Sequence, residues 1–356
     1  MRTDLFDYSL PVEHIAQRPA AERDGARLLV LDRGTLGHRW IKDWAEMVPE
    51  GALVVLNDSR VIKARLHCQR VGGGGKVELL LLERETTEGE GQGETWLALG
   101  KANRPLREGT VLGVGAGQAT VIGRGEAGVL RMRIEHPGGV QTLLHTFGKV
   151  PLPPYVERPA ESFDEDRYQT VFAAHDGSVA APTAGLHLTA PMMERLRERG
   201  VTIGAVTLHV GVGTFRPVAV DDLDEHPMHT ELFSVSAELA QQVNAAKRAG
   251  SPVVAVGTTV VRALESAAAE GELQAGSRRT RLLIQPGYCF KVVNALLTNF
   301  HAPRSTLLAL VSAFAGTAAV RAAYQAALSS GYRFLSYGDA MWLPAPSSEE
   351  RSEALS

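Results

Sequence analysis

Cysteine is nearly missing. Of 356 residues only Cys68 and Cys289 are cysteines, far apart and in no C-x-x-C arrangement. That argues against a disulfide framework and a cysteine zinc site, and a reducing compartment fits best. An excess of one charge is missing too: 37 Lys and Arg stand against 40 Asp and Glu, a net −3. A uniformly basic polyanion binder is excluded, although a local basic patch stays open. Long hydrophobic runs are also lacking. The most apolar stretch, 306–320, is followed by Arg321, is too short for a bilayer span and reads as a buried helix. The first eight residues are polar and acidic, with no basic segment leading into an apolar one, so no secretory leader is expected. The expectation is a soluble, cytoplasmic protein with no membrane partner.

What is present is the make-up of an ordinary folded chain. Hydrophobic residues account for 44% and charged residues for 22%, which excludes a disordered or low-complexity sequence. At roughly 150 residues per domain, the length predicts about two domains.

Three zones follow one another. In the first, up to about Ile62, Ala52-Leu53-Val54-Val55-Leu56 stops at Asn57-Asp58-Ser59-Arg60. That is the pattern of a buried strand feeding a polar loop. Between 63 and 150, short strand-like runs at 77–82, 95–99, 110–114, 119–122 and 129–134 are separated by glycine-bearing turns. Regular spacing of short strands predicts a small barrel or sandwich, with 83–94 as a solvated hairpin loop. This zone carries 12 basic and 9 acidic side chains, net +3, which leaves −6 on the remainder. From Pro151 onward strands and helices alternate. Helices are predicted at 191–199, from Ser236 to about Ala249, at 260–269, and in two segments after Ser305 broken near Gly316; strands are predicted at 201–210, 253–256 and 281–285. The fold expected is α/β: a mainly parallel covered sheet built from 1–62 and 151–343, an inserted small antiparallel β-barrel domain at 63–150, and a disordered tail at 344–356.

Two strand ends could carry chemistry. The first runs through His209 into Gly211-Val212-Gly213-Thr214. A G-x-G turn lets backbone N–H groups approach a ligand, yet without a third glycine it reads equally as a plain tight turn. His209 faces the ligand or satisfies a backbone carbonyl. The second is Val253-Val254-Ala255-Val256-Gly257-Thr258-Thr259, leading into a helix with Arg262 and Glu265. It offers unpaired N–H groups to an anion or hydroxyl, or else a threonine that only caps the helix. The uncharged run 178–187, ending at His187, fits burial or close approach of a flat ligand as well as a surface connector. Residues 298–305 gather Asn299, His301, Arg304 and Ser305, the last readable as a helix cap. His226 and His229 are three apart but beside Pro227, and no H-E-x-x-H occurs, so no metal site is expected. A G-x-S-x-G elbow is also lacking.

Taken together, these blocks resemble one family: the S-adenosylmethionine:tRNA ribosyltransferase-isomerases of queuosine biosynthesis. The resemblance runs in order from Phe6-Asp7-Tyr8 and Ile15-Ala16-Gln17-Arg18-Pro19, through Asn57-Asp58-Ser59-Arg60-Val61, to Asp166-Arg167-Tyr168-Gln169-Thr170-Val171. It continues through 177–187 and 209–215 to Gly257-Thr258-Thr259, Pro286-Gly287-Tyr288, Thr298-Asn299-Phe300-His301 and Ser336-Tyr337-Gly338-Asp339-Ala340-Met341. Departures are few: Cys289 replaces a charged or polar residue, Asn294 an aspartate and Ala302 a leucine.

The resemblance implies transfer and isomerisation of the ribosyl part of S-adenosylmethionine onto a 7-aminomethyl-7-deazaguanine in a tRNA anticodon, giving epoxyqueuosine and releasing adenine and methionine. The cosubstrate is consumed, with no recycled cofactor and no metal. Such chemistry needs a base for the carbon beside the sulfonium, help for departing adenine, a neutral amine and stabilisation of a ribose oxyanion. Under this resemblance His209 is the first candidate for proton transfer, with His301 and His187 behind it. Asp58 would partner an amine or ribose hydroxyl, and Arg60 would clamp a carboxylate or phosphate. Gly211, Gly213, Thr214, Gly257, Thr258 and Thr259 would line the S-adenosylmethionine pocket. The basic insert, with Arg18, Arg23, Arg27, Arg158 and Arg167, would meet tRNA phosphates. The alternatives are an S-adenosylmethionine-dependent tRNA methyltransferase and a non-catalytic tRNA-binding protein. A monomer is the default expectation.

Overall fold

The computed structural model describes residues 1–87, 93–125, 128–211 and 218–345. Gly213, Thr214 and nearly all of the tail expected at 344–356 lie outside the described residues.

Among the described residues, nine strands form one sheet. Their order is Gly276–Thr280, Glu231–Val235, Thr202–Leu208, Leu53–Asn57, Val253–Val256, Ala295–Asn299, Ala340–Leu343, Arg27–Asp32 and Thr35–Trp40. The four strands from Thr202–Leu208 to Ala295–Asn299 are parallel neighbours. Antiparallel pairs at both margins make the whole sheet mixed. The central strands read as continuous apolar runs because both faces are covered. Leu29, Val55, Ala255, Leu296 and Met341 face a core shared with the helices Ala237–Arg248, Thr258–Ala267, Thr306–Ala315 and Thr317–Ser329. Leu28, Val54, Val254, Leu297 and Trp342 face the other, shared with Trp44 and the helix Ala190–Glu198.

Local signals set the helix ends. Ser236 Oγ accepts the Leu239 N–H at 3.0 Å, and Ser305 Oγ accepts the Leu308 N–H at 3.2 Å, so both serines are N-caps. Gly316 adopts φ +84° between the last two helices, which meet at 113°. Among the described residues no single helix is long and apolar enough to cross a membrane.

Six described strands, Leu130–Glu135, Glu94–Ala102, Lys76–Thr87, Arg65–Arg70, Val111–Val114 and Gly117–Arg124, close into an antiparallel barrel. Its interior is filled by Leu66, Leu79, Leu112, Met132 and Ile134, and the helix Gly139–Phe147 packs Val140, Leu143 and Leu144 onto it. Val179, from the uncharged run, belongs to the same core.

Three expectations shift. The strand placed at 281–285 lies earlier, at Gly276–Thr280. Beyond Thr280 the backbone pairs with side chains: Leu282 N–H donates to Thr280 Oγ1 at 3.0 Å, and Arg262 Nε donates to the Leu282 carbonyl at 3.0 Å. The loop placed at 83–94 is shorter, since its described ends belong to paired strands reaching Thr87 and starting again at Glu94. The hairpin Arg27–Asp32/Thr35–Trp40 and the strand Arg65–Arg70 add to the elements expected.

Candidate active site

The C-terminal ends of the four parallel strands converge, the place where open α/β sheets bind ligands. They open onto two hollows. A narrow cavity of about 90 Å³ is lined by Val210, Gly257, Thr258, Thr259 and the 298–302 segment, with Ala181, Pro182, Thr183, Ala184, Tyr155 and Ser336 opposite. A wider groove of about 730 Å³ is lined by Asp58, the 174–176 segment, Thr207, His209 and the start of the helix Ala237–Arg248. His209 and Val210 are successive residues, yet one lines the groove and the other the cavity.

In the cavity, Gly257 takes φ +97° at the N-cap of the helix Thr258–Ala267, which no side chain caps. The capping alternative for Thr258 and Thr259 therefore falls away. Among the described residues, Thr259 Oγ1 and Asn299 Oδ1 are buried without a partner. His301 Nε2 meets Thr298 Oγ1 at 2.9 Å, and the Tyr155 hydroxyl meets Ser336 Oγ at 2.6 Å. Burial pushes the His187 pKa down to about 4 and that of His301 down to about 3. Both rings are neutral at physiological pH. His301 lines the cavity, and His187 Nε2 meets Asn299 Nδ2 at 3.2 Å, so both neutral rings sit at or beside it.

In the groove, Thr207 Oγ1 donates to Asp58 Oδ1 at 2.6 Å, and His175 Nε2 lies 3.6 Å from Asp58 Oδ2. His209 is half-buried with Nδ1 unpartnered. Desolvation lowers its pKa first and His175 lowers it further, while Asp58 and Glu83 act in the opposite sense. Gly177, at φ +136°, comes so close that an added Cβ would stand 2.9 Å from His209 Cε1. Ser178 Oγ accepts the Val210 N–H at 2.9 Å, fixing the next residue. Among the described residues, nothing lies within 4 Å of where a Cβ on Gly211 would stand.

Arg60 is held by local partners. It is half-exposed, donates to the Ala173 carbonyl and stands 3.4 Å from Asp176 Oδ1. The arginines expected to reach phosphates are likewise engaged. Arg23 and Arg167 donate to backbone carbonyls, Arg27 pairs with Asp339 and Arg158 with Asp164, and Arg18 holds Glu161. These contacts tie loops together. Among the described residues no group of three His, Cys, Asp or Glu side chains is placed to hold a metal ion.

Sequence reasoning missed His175, Tyr155 and Ser336 as lining residues, and quoted Asn299 without assigning it a place. Tyr155 and Ser336 are 181 residues apart, a separation that no local pattern reveals.

The family described as Queuosine biosynthesis protein matches residues 3–343. The chain belongs to that family. A relative from Sorangium cellulosum (strain So ce56), named S-adenosylmethionine:tRNA ribosyltransferase-isomerase, is 52% identical, with 96% of this chain and 98% of the relative covered. Relatives of the same name from Anaeromyxobacter dehalogenans (strain 2CP-C) and Moorella thermoacetica (strain ATCC 39073 / JCM 9320) are each 49% identical, over 96% of this chain and 99% of theirs. The crystal structure of an S-adenosylmethionine tRNA ribosyltransferase from Thermotoga maritima is similar at a TM-score of 0.54 and 34% identity, over 95% of this chain and 99% of that one. Queuosine-family membership makes the chain an enzyme of the ribosyltransferase-isomerase type.

Proposed function

We propose that this enzyme transfers and isomerises the ribosyl part of S-adenosylmethionine onto the 7-aminomethyl group of a 7-deazaguanine in a tRNA anticodon, giving epoxyqueuosine. Three bonds break: the glycosidic bond to adenine, a ring carbon–oxygen bond of the ribosyl unit and the carbon–sulfur bond to methionine. Three bonds form: from the amine nitrogen to carbon, from carbon to carbon to close the carbocycle, and from the former ring oxygen to the carbon that carried sulfur, which closes the epoxide. The proton on the carbon beside the sulfonium passes through the base to solvent, one amine proton leaves on adenine, and the sulfonium becomes the neutral thioether of methionine.

The observation that carries this reading is the pairing of a confined cavity with an open groove across the 209–210 step. The cavity suits a small cosubstrate, and the groove suits a nucleotide still attached to its polymer. His209, at the boundary and with a free Nδ1, is the candidate base; its lowered pKa keeps it unprotonated and ready to accept. Asp58 is the candidate partner for the attacking amine. Gly211, Gly257, Thr258 and Thr259 would border the cosubstrate. The barrel and its surroundings, 63–150, would act as a tRNA-facing unit, consistent with their +3 charge.

Nucleoside digestion and mass analysis of the reacted tRNA test it. A gain of the ribosyl-derived unit is expected, whereas a gain of one methyl group would establish a methyltransferase instead. No mass change from folded protein would leave only tRNA binding.

A further inference from the structure

The side-chain amide of Asn299 has one workable orientation. Its Nδ2 lies 3.2 Å from the Leu335 carbonyl oxygen and 3.2 Å from His187 Nε2. A carbonyl oxygen only accepts, so the amide group beside it is the NH2. His187 Nε2 is then the second acceptor, and the ring proton sits on Nδ1. Asn299 Oδ1 is left over: buried, without a donor, in a residue only 2% exposed that lines the cavity. Thr259 Oγ1, in a residue 7% exposed, is a second orphan on the same lining. Buried polar atoms are normally satisfied, so two orphans on one cavity mark where a ligand supplies the partners.

The rest of the lining narrows the ligand. Ala181, Ala184, Val210, Phe300 and Leu335 give the slot an apolar part, and among the described residues no charged side chain lines it. Such a slot, with one unpartnered acceptor and one unpartnered hydroxyl among its polar groups, fits a planar aromatic base that presents an amino group. Both substrates of the proposed reaction contain one. The tRNA base is tethered to a polymer and fits the wider groove, leaving the cavity to the free cosubstrate.

We propose that the cavity takes the adenine of S-adenosylmethionine, with Asn299 Oδ1 accepting a hydrogen from its 6-amino group, and that this contact selects the leaving base. The inference rests on the ribosyl-transfer reading above. His187 serves as a positioning residue, because its unprotonated Nε2 holds the amide in the orientation that reads an amino group.

The test compares kcat/KM for S-adenosylmethionine with that for S-inosylmethionine, whose 6-oxo group would face Oδ1 with a second acceptor. The wild type is expected to prefer the amino form by at least about 100-fold, and Asn299→Ala to bring the ratio to within a few-fold of one. An unchanged ratio in Asn299→Ala overturns the proposal. So does an unchanged ratio with a raised KM for tRNA, which would put the tRNA base in the cavity. A second measurement needs neither variant nor turnover: calorimetric binding of free adenine and hypoxanthine to the wild type. Adenine should bind at least about tenfold tighter, and equal binding overturns the proposal even if ribosyl transfer is confirmed.

Discussion

The imidazole of His209 rests on the backbone of Gly177, where an added Cβ would come within 2.9 Å of Cε1 and 3.0 Å of Nδ1. The two residues lie on segments that meet only in the folded protein, and Gly177 also holds φ +136°, a region costly to any residue with a side chain. Gly177→Ala should displace the ring and reduce kcat at least about tenfold. Circular dichroism should still report a folded protein. Unaltered turnover would mean that the His209 position does not matter to the chemistry.

The pH profile reports on the same ring. Because the His209 pKa is lowered, chiefly by desolvation, the acidic limb of kcat/KM should lie below the ordinary histidine value of about 6.5. Asp58 opposes that lowering. Asp58→Asn removes the negative charge, so the limb should move to still lower pH. A limb that moves upward, or one that persists in His209→Ala, would assign it to another group.

Stability should depend on pH through the buried histidines. Their folded pKa values, about 4 for His187 and about 3 for His301, lie below the unfolded value of about 6.5. Their contribution is complete above pH 6.5 and is lost as pH falls toward those folded values, because the unfolded chain binds protons that the native rings exclude. Each ring contributes a slope of about 1.4 kcal/mol per pH unit in the window below 6.5. Urea denaturation at pH 7 and pH 5 should show wild type losing more stability than His301→Gln. Equal losses would mean that His301 is not buried neutral.

Glu265 anchors the loop that carries Pro286-Gly287-Tyr288. Its carboxylate, 1% exposed, accepts from the Tyr288 hydroxyl and from the N–H groups of Lys291, Val292 and Val293. Glu265→Ala orphans those donors at a cost of roughly 1–3 kcal/mol for each that stays buried. Denaturation should therefore show a loss of several kcal/mol, larger than for Glu265→Gln, which keeps one acceptor.

Much of the central fold is legible in the sequence, and the reason is physical. Val253-Val254-Ala255-Val256 and Leu53-Val54-Val55-Leu56 are apolar without alternation because both faces of a parallel strand are buried, while Leu130-Arg131-Met132-Arg133-Ile134 alternates because the barrel has an inside and an outside. The margins are harder to read. Gly276–Thr280 is mostly exposed, so no hydrophobic pattern marks it, and the more apolar 281–285 draws the expectation away. At the site, the glycine and two threonines of 257–259 signal a ligand turn, whereas the environment of His187 and His301 depends on burial by distant segments. Arginine shows the same limit: Arg27 and Asp339 are 312 residues apart, and only the fold reveals that one neutralises the other.

The central claim is that S-adenosylmethionine is consumed as a ribosyl donor. Incubation with tRNA bearing the 7-aminomethyl-7-deazaguanine base, followed by chromatographic quantitation of adenine, methionine and modified nucleoside, tests it most directly. The three should appear in equal amounts, and none should form when the tRNA carries unmodified guanine. S-adenosylhomocysteine in place of adenine and methionine would contradict the account.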